Sequence, residues 1–154
     1  MSVALTVDVD DAVPAADALC GTLLLIGAEA GLLARVRRLQ TCHPGLLLLQ
    51  ADDGIEGVRL GQAERPDLVL LDMGLPDFSG LDVVRRLNGE IDRRGLRVNI
   101  LTTEPGSMET VRAMSLGAFE YWVKPLAPAA FEAGLRRALS GERADPAHTL
   151  QRRR

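Results

Sequence analysis

Five short, continuously apolar runs recur along the chain, and a helix-periodic stretch follows each of them. This alternation constrains the fold more than any other feature. The runs are Thr22–Ile26, Leu46–Leu49, Asp67–Asp72, Arg97–Thr102 and Phe119–Val123. Between and after them, apolar residues return every three or four positions: Leu32, Leu33, Val36 and Leu39; Ile55, Val58 and Leu60; Leu81, Val84, Leu87 and Ile91; Met108, Val111 and Met114; Phe131, Leu135, Ala138 and Leu139. A strand with one wet face alternates polar and apolar residues, and these runs do not. Strands covered by helices on both faces read in this way, so the pattern predicts an α/β fold with a single doubly wound, five-stranded parallel sheet. Ligands of such sheets bind beyond the carboxyl ends of the strands.

The bulk composition excludes several classes. With 154 residues the chain has room for one domain, and 47% hydrophobic and 25% charged residues are ordinary for a globular protein. A formal charge of −3 and the lack of a basic block before Arg152 argue against nucleic-acid binding. No apolar stretch approaches the roughly 20 residues of a membrane helix, and the N-terminus does not read as a secretory signal. The expected location is the cytoplasm. Cys20 and Cys42 form no C-x-x-C and have no histidine at ligand spacing, so they read as buried or indifferent thiols. Residues 1–20 read as an acidic, weakly ordered tail, residues 21–141 as the domain, and residues 142–154 as a C-terminal tail.

The strand ends carry the chemistry. Gly27-Ala28-Glu29 follows the first strand, Asp72 ends the third, Thr102-Thr103 ends the fourth, and Lys124-Pro125 follows the fifth. In a doubly wound sheet these ends converge. A carboxylate, a hydroxyl and an ammonium in one hollow suit chemistry on a phosphoryl group: a nucleophile, a hydrogen-bond donor and a neutralising charge. Lys124 is the only lysine, against seventeen arginines, and the planar guanidinium fork does not substitute for a compact ammonium. The segment Gly74-Leu75-Pro76-Asp77-Phe78-Ser79-Gly80 is a tight turn able to present amides toward Asp72.

PDLVLLDMGLPDFSG, ILTT and GAFEYWVKPL, spread over residues 22–140, together resemble the receiver domain of two-component response regulators. The resemblance implies a flavodoxin-like strand order 2-1-3-4-5, which comes with the family rather than from the residues themselves. It implies that Asp72 accepts a phosphoryl group from a histidine kinase or phosphotransfer protein. Thr102 is then the switch hydroxyl, Lys124 the phosphoryl contact, and Tyr121 the aromatic switch residue. Lys124-Pro125 corresponds to a pair joined by a cis peptide bond, and the main-chain carbonyl of Gly74 to a metal ligand. Homodimers or other partners are implied on the face of the fourth helix, fifth strand and last helix. Trp122 lies on that strand and reads either as core or as an interface anchor.

One departure stands out. The family places two acids after strand 1 to hold Mg²⁺, and those positions here are Gly27 and Ala28. Asp72 remains, and Glu29 is a further candidate ligand, so Mg²⁺ binding is expected to be weakened rather than abolished. Val9-Asp10-Asp11 mimics the missing pair but lies too far upstream. With fewer rival carboxylates, a direct Asp72–Lys124 ion pair is expected. The domain is then either a phosphorylated switch with an impaired metal site or a phosphorylation-independent binding module, and in neither case more of an enzyme than self-catalysed transfer to Asp72 requires. An aspartyl phosphatase of the haloacid-dehalogenase type needs an acid where Gly74 stands. A flavin site needs stacking aromatics, which make up only 3% of the chain, and the loop after strand 1 is no nucleotide-binding loop.

Overall fold

A computed structural model describes residues 18–77 and 79–140. Most of the expected N-terminal tail, the Val9-Asp10-Asp11 segment and the C-terminal tail lie outside the described residues. The strands are β1 (Gly21–Ile26), β2 (Leu46–Ala51), β3 (Leu68–Asp72), β4 (Arg97–Thr102) and β5 (Glu120–Val123). The helices are α1 (Ala30–Cys42), α2 (Gly54–Ala63), α3 (Gly80–Arg86), α4 (Asn88–Arg94), α5 (Met108–Ser115) and α6 (Pro128–Ser140). All strand pairs are parallel, in the order β2-β1-β3-β4-β5.

Successive strand residues point to opposite faces, and each face is apolar. Leu24, Ile26, Val69, Leu71, Val98 and Ile100 pack against helices that include α3 and α5. Leu23, Leu25, Leu68, Leu70 and Leu101 pack against α1 and α6, through Leu32, Val36, Phe131 and Leu135. A residue of the inner strands thus meets a helix whichever way it points, which is why these strands read as unbroken apolar runs, while Leu47 on the edge strand β2 is exposed. Each fully buried leucine contributes about 1.5–3 kcal/mol relative to an exposed one.

Three local expectations need correction. The single third helix is two, broken at Leu87. Asn88 and Gly89 are weak helix formers, and the Asn88 side chain donates instead to Leu116 O at 2.9 Å. The thiols of Cys20 and Cys42 are free and exposed, not buried. Leu19, assigned to the tail, is 3% exposed and its N–H donates to His43 Nδ1 at 2.9 Å, so packing begins before β1.

Candidate functional site

The order of strands reverses between β1 and β3, so their carboxyl ends flank a crevice. Asp72 is the last residue of β3 and sits in register with Leu101 of β4. Thr102 ends β4, opposite Val123 of β5. The Lys124 N–H donates to Thr102 O at 2.9 Å, which extends the β4–β5 pairing by one residue and carries the lysine to the rim. The Lys124–Pro125 peptide bond is cis.

Asp72, Gly74, Thr102 and Lys124 line one hollow of about 290 Å³. The Lys124 ammonium donates to Asp72 Oδ2 at 2.7 Å, and the Gly74 N–H donates to Asp72 Oδ1 at 2.8 Å. Both side chains of the ion pair are partly buried, at 26% exposure for Lys124 and 16% for Asp72. The pair is therefore less screened than a surface pair but still reachable by water. The direct ion pair expected from the loss of the acidic residues is present.

Thr102 is 6% exposed. Its hydroxyl accepts from Glu104 N at 2.9 Å and makes no hydrogen bond to Asp72 among the described residues. Tyr121 is 2% exposed and belongs to the core layer on the α3 and α5 side. Trp122 faces the other way. Its ring meets Phe131 edge-on at 5.9 Å, and its indole N–H donates to Glu120 Oε1 at 3.3 Å. A Cβ on Gly134 of α6 would stand 2.6 Å from that ring, so the helix makes room for it with a glycine. The core reading of Trp122 holds.

Gly27 has φ +74°, the left-handed region that favours glycine, and a Cβ there would overlap Leu75 Cδ2. Leu75 thus fills the space beside β1. Glu29 is exposed and lines a smaller hollow on the far side of the Asp72–Lys124 pair, together with Arg35, whose guanidinium donates to Leu126 O. Among the described residues no group of three or more acids, histidines or cysteines is arranged to hold a metal ion. Of the carboxylate positions that the resemblance assigns to Mg²⁺, Asp72 is engaged by the Lys124 ammonium, and Gly27 and Ala28 carry no carboxylate.

Two contributions were missed by sequence reasoning. Asp77 accepts from Gly54 N at 2.8 Å and Ile55 N at 2.9 Å, which ties the loop after Asp72 to the start of α2. An acid in a turn is common, and nothing in the sequence pairs it with a helix 23 residues earlier. Thr110 is the second, buried at 1% exposure beside Thr102. The helical spacing of α5 gave only its apolar positions.

The sequence model of the response regulator receiver domain matches residues 24–136. The chain belongs to this family. A receiver domain is the phosphorelay input module of two-component signalling. It typically binds Mg²⁺ and typically meets histidine kinases or phosphotransfer proteins. The transcriptional regulatory protein KdpE of Mycobacterium tuberculosis is 33% identical over 118 residues, 77% of this chain and 51% of KdpE. Protein PilH of Pseudomonas aeruginosa is 33% identical over 82 residues, 53% of this chain and 68% of PilH. This receiver domain spans about half the length of the transcriptional regulators it matches. Among solved structures, a two-component response regulator of the LuxR family from Aurantimonas sp. superposes with a TM-score of 0.70 at 26% identity, covering 88% of this chain and 96% of that one. The chemotaxis response regulator CheY4 of Vibrio cholerae superposes with a TM-score of 0.66 at 24% identity, covering 79% of this chain and all of that one, and supports the fold alone. No helix among the described residues is long and apolar enough to cross a membrane.

Proposed function

We propose that this receiver domain uses Asp72 as its phosphoacceptor and that its Mg²⁺ site is impaired. The observation that carries the reading is the Lys124 ammonium 2.7 Å from Asp72 Oδ2, with Gly27 and Ala28 in place of carboxylates after β1. In transfer, an Asp72 oxygen forms a bond to phosphorus as the bond from phosphorus to the donor breaks; a phosphohistidine donor leaves as its imidazole, and acetyl phosphate leaves as acetate. Phosphoryl transfer depends mainly on positioning and charge neutralisation. Lys124 supplies the neutralisation, and Thr102 supplies a hydrogen bond to a phosphoryl oxygen. With a single cation on the protein side, transfer is slow. Tyr121 follows Thr102 as the aromatic switch. Asp72, the Gly74 carbonyl and Glu29 are the remaining candidates for a weak Mg²⁺ site. The phosphodonor is a cytoplasmic histidine kinase or phosphotransfer protein.

The closed ion pair also favours a second reading, a pseudo-receiver that binds partners or dimerises without phosphorylation. The face of α5, β5 and α6 supports it: Met108 is 65% and Val111 46% exposed there. One experiment separates the two. The purified protein is incubated with acetyl phosphate, with and without Mg²⁺, and its intact mass is followed. Slow, partial addition of one phosphoryl group, lost in Asp72→Asn, is the expected result. No addition at any donor concentration leaves the pseudo-receiver reading. Rapid stoichiometric addition that requires Mg²⁺ contradicts the impaired metal site.

A further inference from the structure

Behind Thr102 lies a chain of hydroxyls that the phosphoacceptor reading does not use. Ser107 caps α5, and its Oγ accepts from Thr110 N at 3.2 Å. The two hydroxyl oxygens, Ser107 Oγ and Thr110 Oγ1, are 2.9 Å apart. Thr110 Oγ1 in turn lies 3.2 Å from Glu104 O and 3.4 Å from Thr102 Oγ1. Thr102 Oγ1 also accepts from Glu104 N at 2.9 Å.

Counting donors shows how these hydroxyls can pair. A hydroxyl has one hydrogen to donate and two lone pairs. Ser107 donates to Thr110. Thr110 donates its hydrogen between Glu104 O and Thr102 Oγ1. Thr102 Oγ1 is thus held from two sides, accepting from Glu104 N–H and lying against Thr110 Oγ1. Among the described residues the acceptor in reach of its own hydrogen is Thr110 Oγ1, a long contact at 3.4 Å, and the side chain borders the hollow that holds Asp72 and Lys124. So long a contact holds that hydrogen weakly, which leaves it available to a closer acceptor entering the hollow.

We propose that Ser107, Thr110 and Thr102 form a relay of linked hydroxyls, with Thr110 as the positioning residue that holds the Thr102 hydroxyl at the edge of the hollow, available to an oxyanion at Asp72. The relay rests on the phosphoacceptor reading only for the identity of that oxyanion. Its geometry belongs to the resting domain. If Ser107 and Thr110 served only to cap α5, replacing Thr110 by its isostere valine would change stability and leave Thr102 alone.

The test uses the full chain as wild type, Thr110→Val, Thr110→Ser and Ser107→Ala. Three-bond NMR couplings report the Thr102 side-chain rotamer. Wild type and Thr110→Ser are expected to show one rotamer, and Thr110→Val and Ser107→Ala an averaged one. Titration with inorganic phosphate is expected to show binding about fivefold weaker in Thr110→Val and restored in Thr110→Ser, the size of one neutral hydrogen bond. A single, unchanged Thr102 rotamer in Thr110→Val overturns the relay. Averaging in Thr110→Val, with no phosphate binding or acetyl-phosphate modification in any of the proteins, supports the relay and overturns the phosphoacceptor reading instead.

Discussion

Ala28→Asp is expected to raise Mg²⁺ affinity by on the order of ten- to a hundredfold and to speed modification by acetyl phosphate. Metal sites lose affinities of that size when even an outer-shell partner is removed, and here a directly ligating acid is put back. Mg²⁺ is commonly held by one or two carboxylates, and Asp72 alone, engaged by Lys124, is a poor anchor. Ala28 is the better of the two positions to restore. Among the described residues only Arg65 has a positive φ without being glycine, so Ala28 carries no left-handed backbone. It is also half-buried at the margin of the core. Calorimetric titration with Mg²⁺ of wild type and Ala28→Asp reads the gain. Equal affinities in the two proteins would mean that the missing acid is not what limits metal binding.

The neighbouring replacement should behave quite differently. Gly27→Asp is expected to destabilise the domain by about 2–5 kcal/mol and to recover little metal affinity. A left-handed φ costs a side-chain-bearing residue about 1–2 kcal/mol. The new Cβ would also overlap Leu75, which packs against the core, and overpacking adds about 1–3 kcal/mol. Gly27→Asp combined with Leu75→Ala should relieve the overlap but retain the backbone cost. Urea denaturation of the three proteins measures this, with the midpoint falling furthest in the single variant. A Gly27→Asp midpoint equal to that of wild type would show that the β1 rim rearranges freely.

These two positions also mark where the sequence stops being legible. The absent acids are visible in Gly27-Ala28, but the consequence is not. That Gly27 turns left-handed and that Leu75 occupies the space beside it depend on a distant loop meeting β1 in three dimensions. The same holds for Asp77 on the start of α2 and for Thr110 behind Thr102, both polar contacts between elements that no local pattern joins. The break at Leu87 is a weaker case, because Asn88-Gly89 announces poor helix propensity and the apolar spacing simply outvoted it. The five strands and their parallel sheet were legible, because a buried strand writes its burial into consecutive residues, while the strand order came only with the family resemblance. The rim was legible for a different reason: parallel topology brings every strand's carboxyl end to one edge, so Asp72, Thr102 and Lys124 could be placed together from chain order alone.

At the centre of the site, the Asp72 carboxylate is held by the Lys124 ammonium. Lys124 is the only lysine in the chain, so its side-chain nitrogen gives a distinct NMR signal. The signal is predicted to shift in Asp72→Asn and to stay in place as Mg²⁺ is raised into the millimolar range. A saturable shift of that signal at micromolar Mg²⁺, showing that metal displaces the lysine from Asp72, would contradict it.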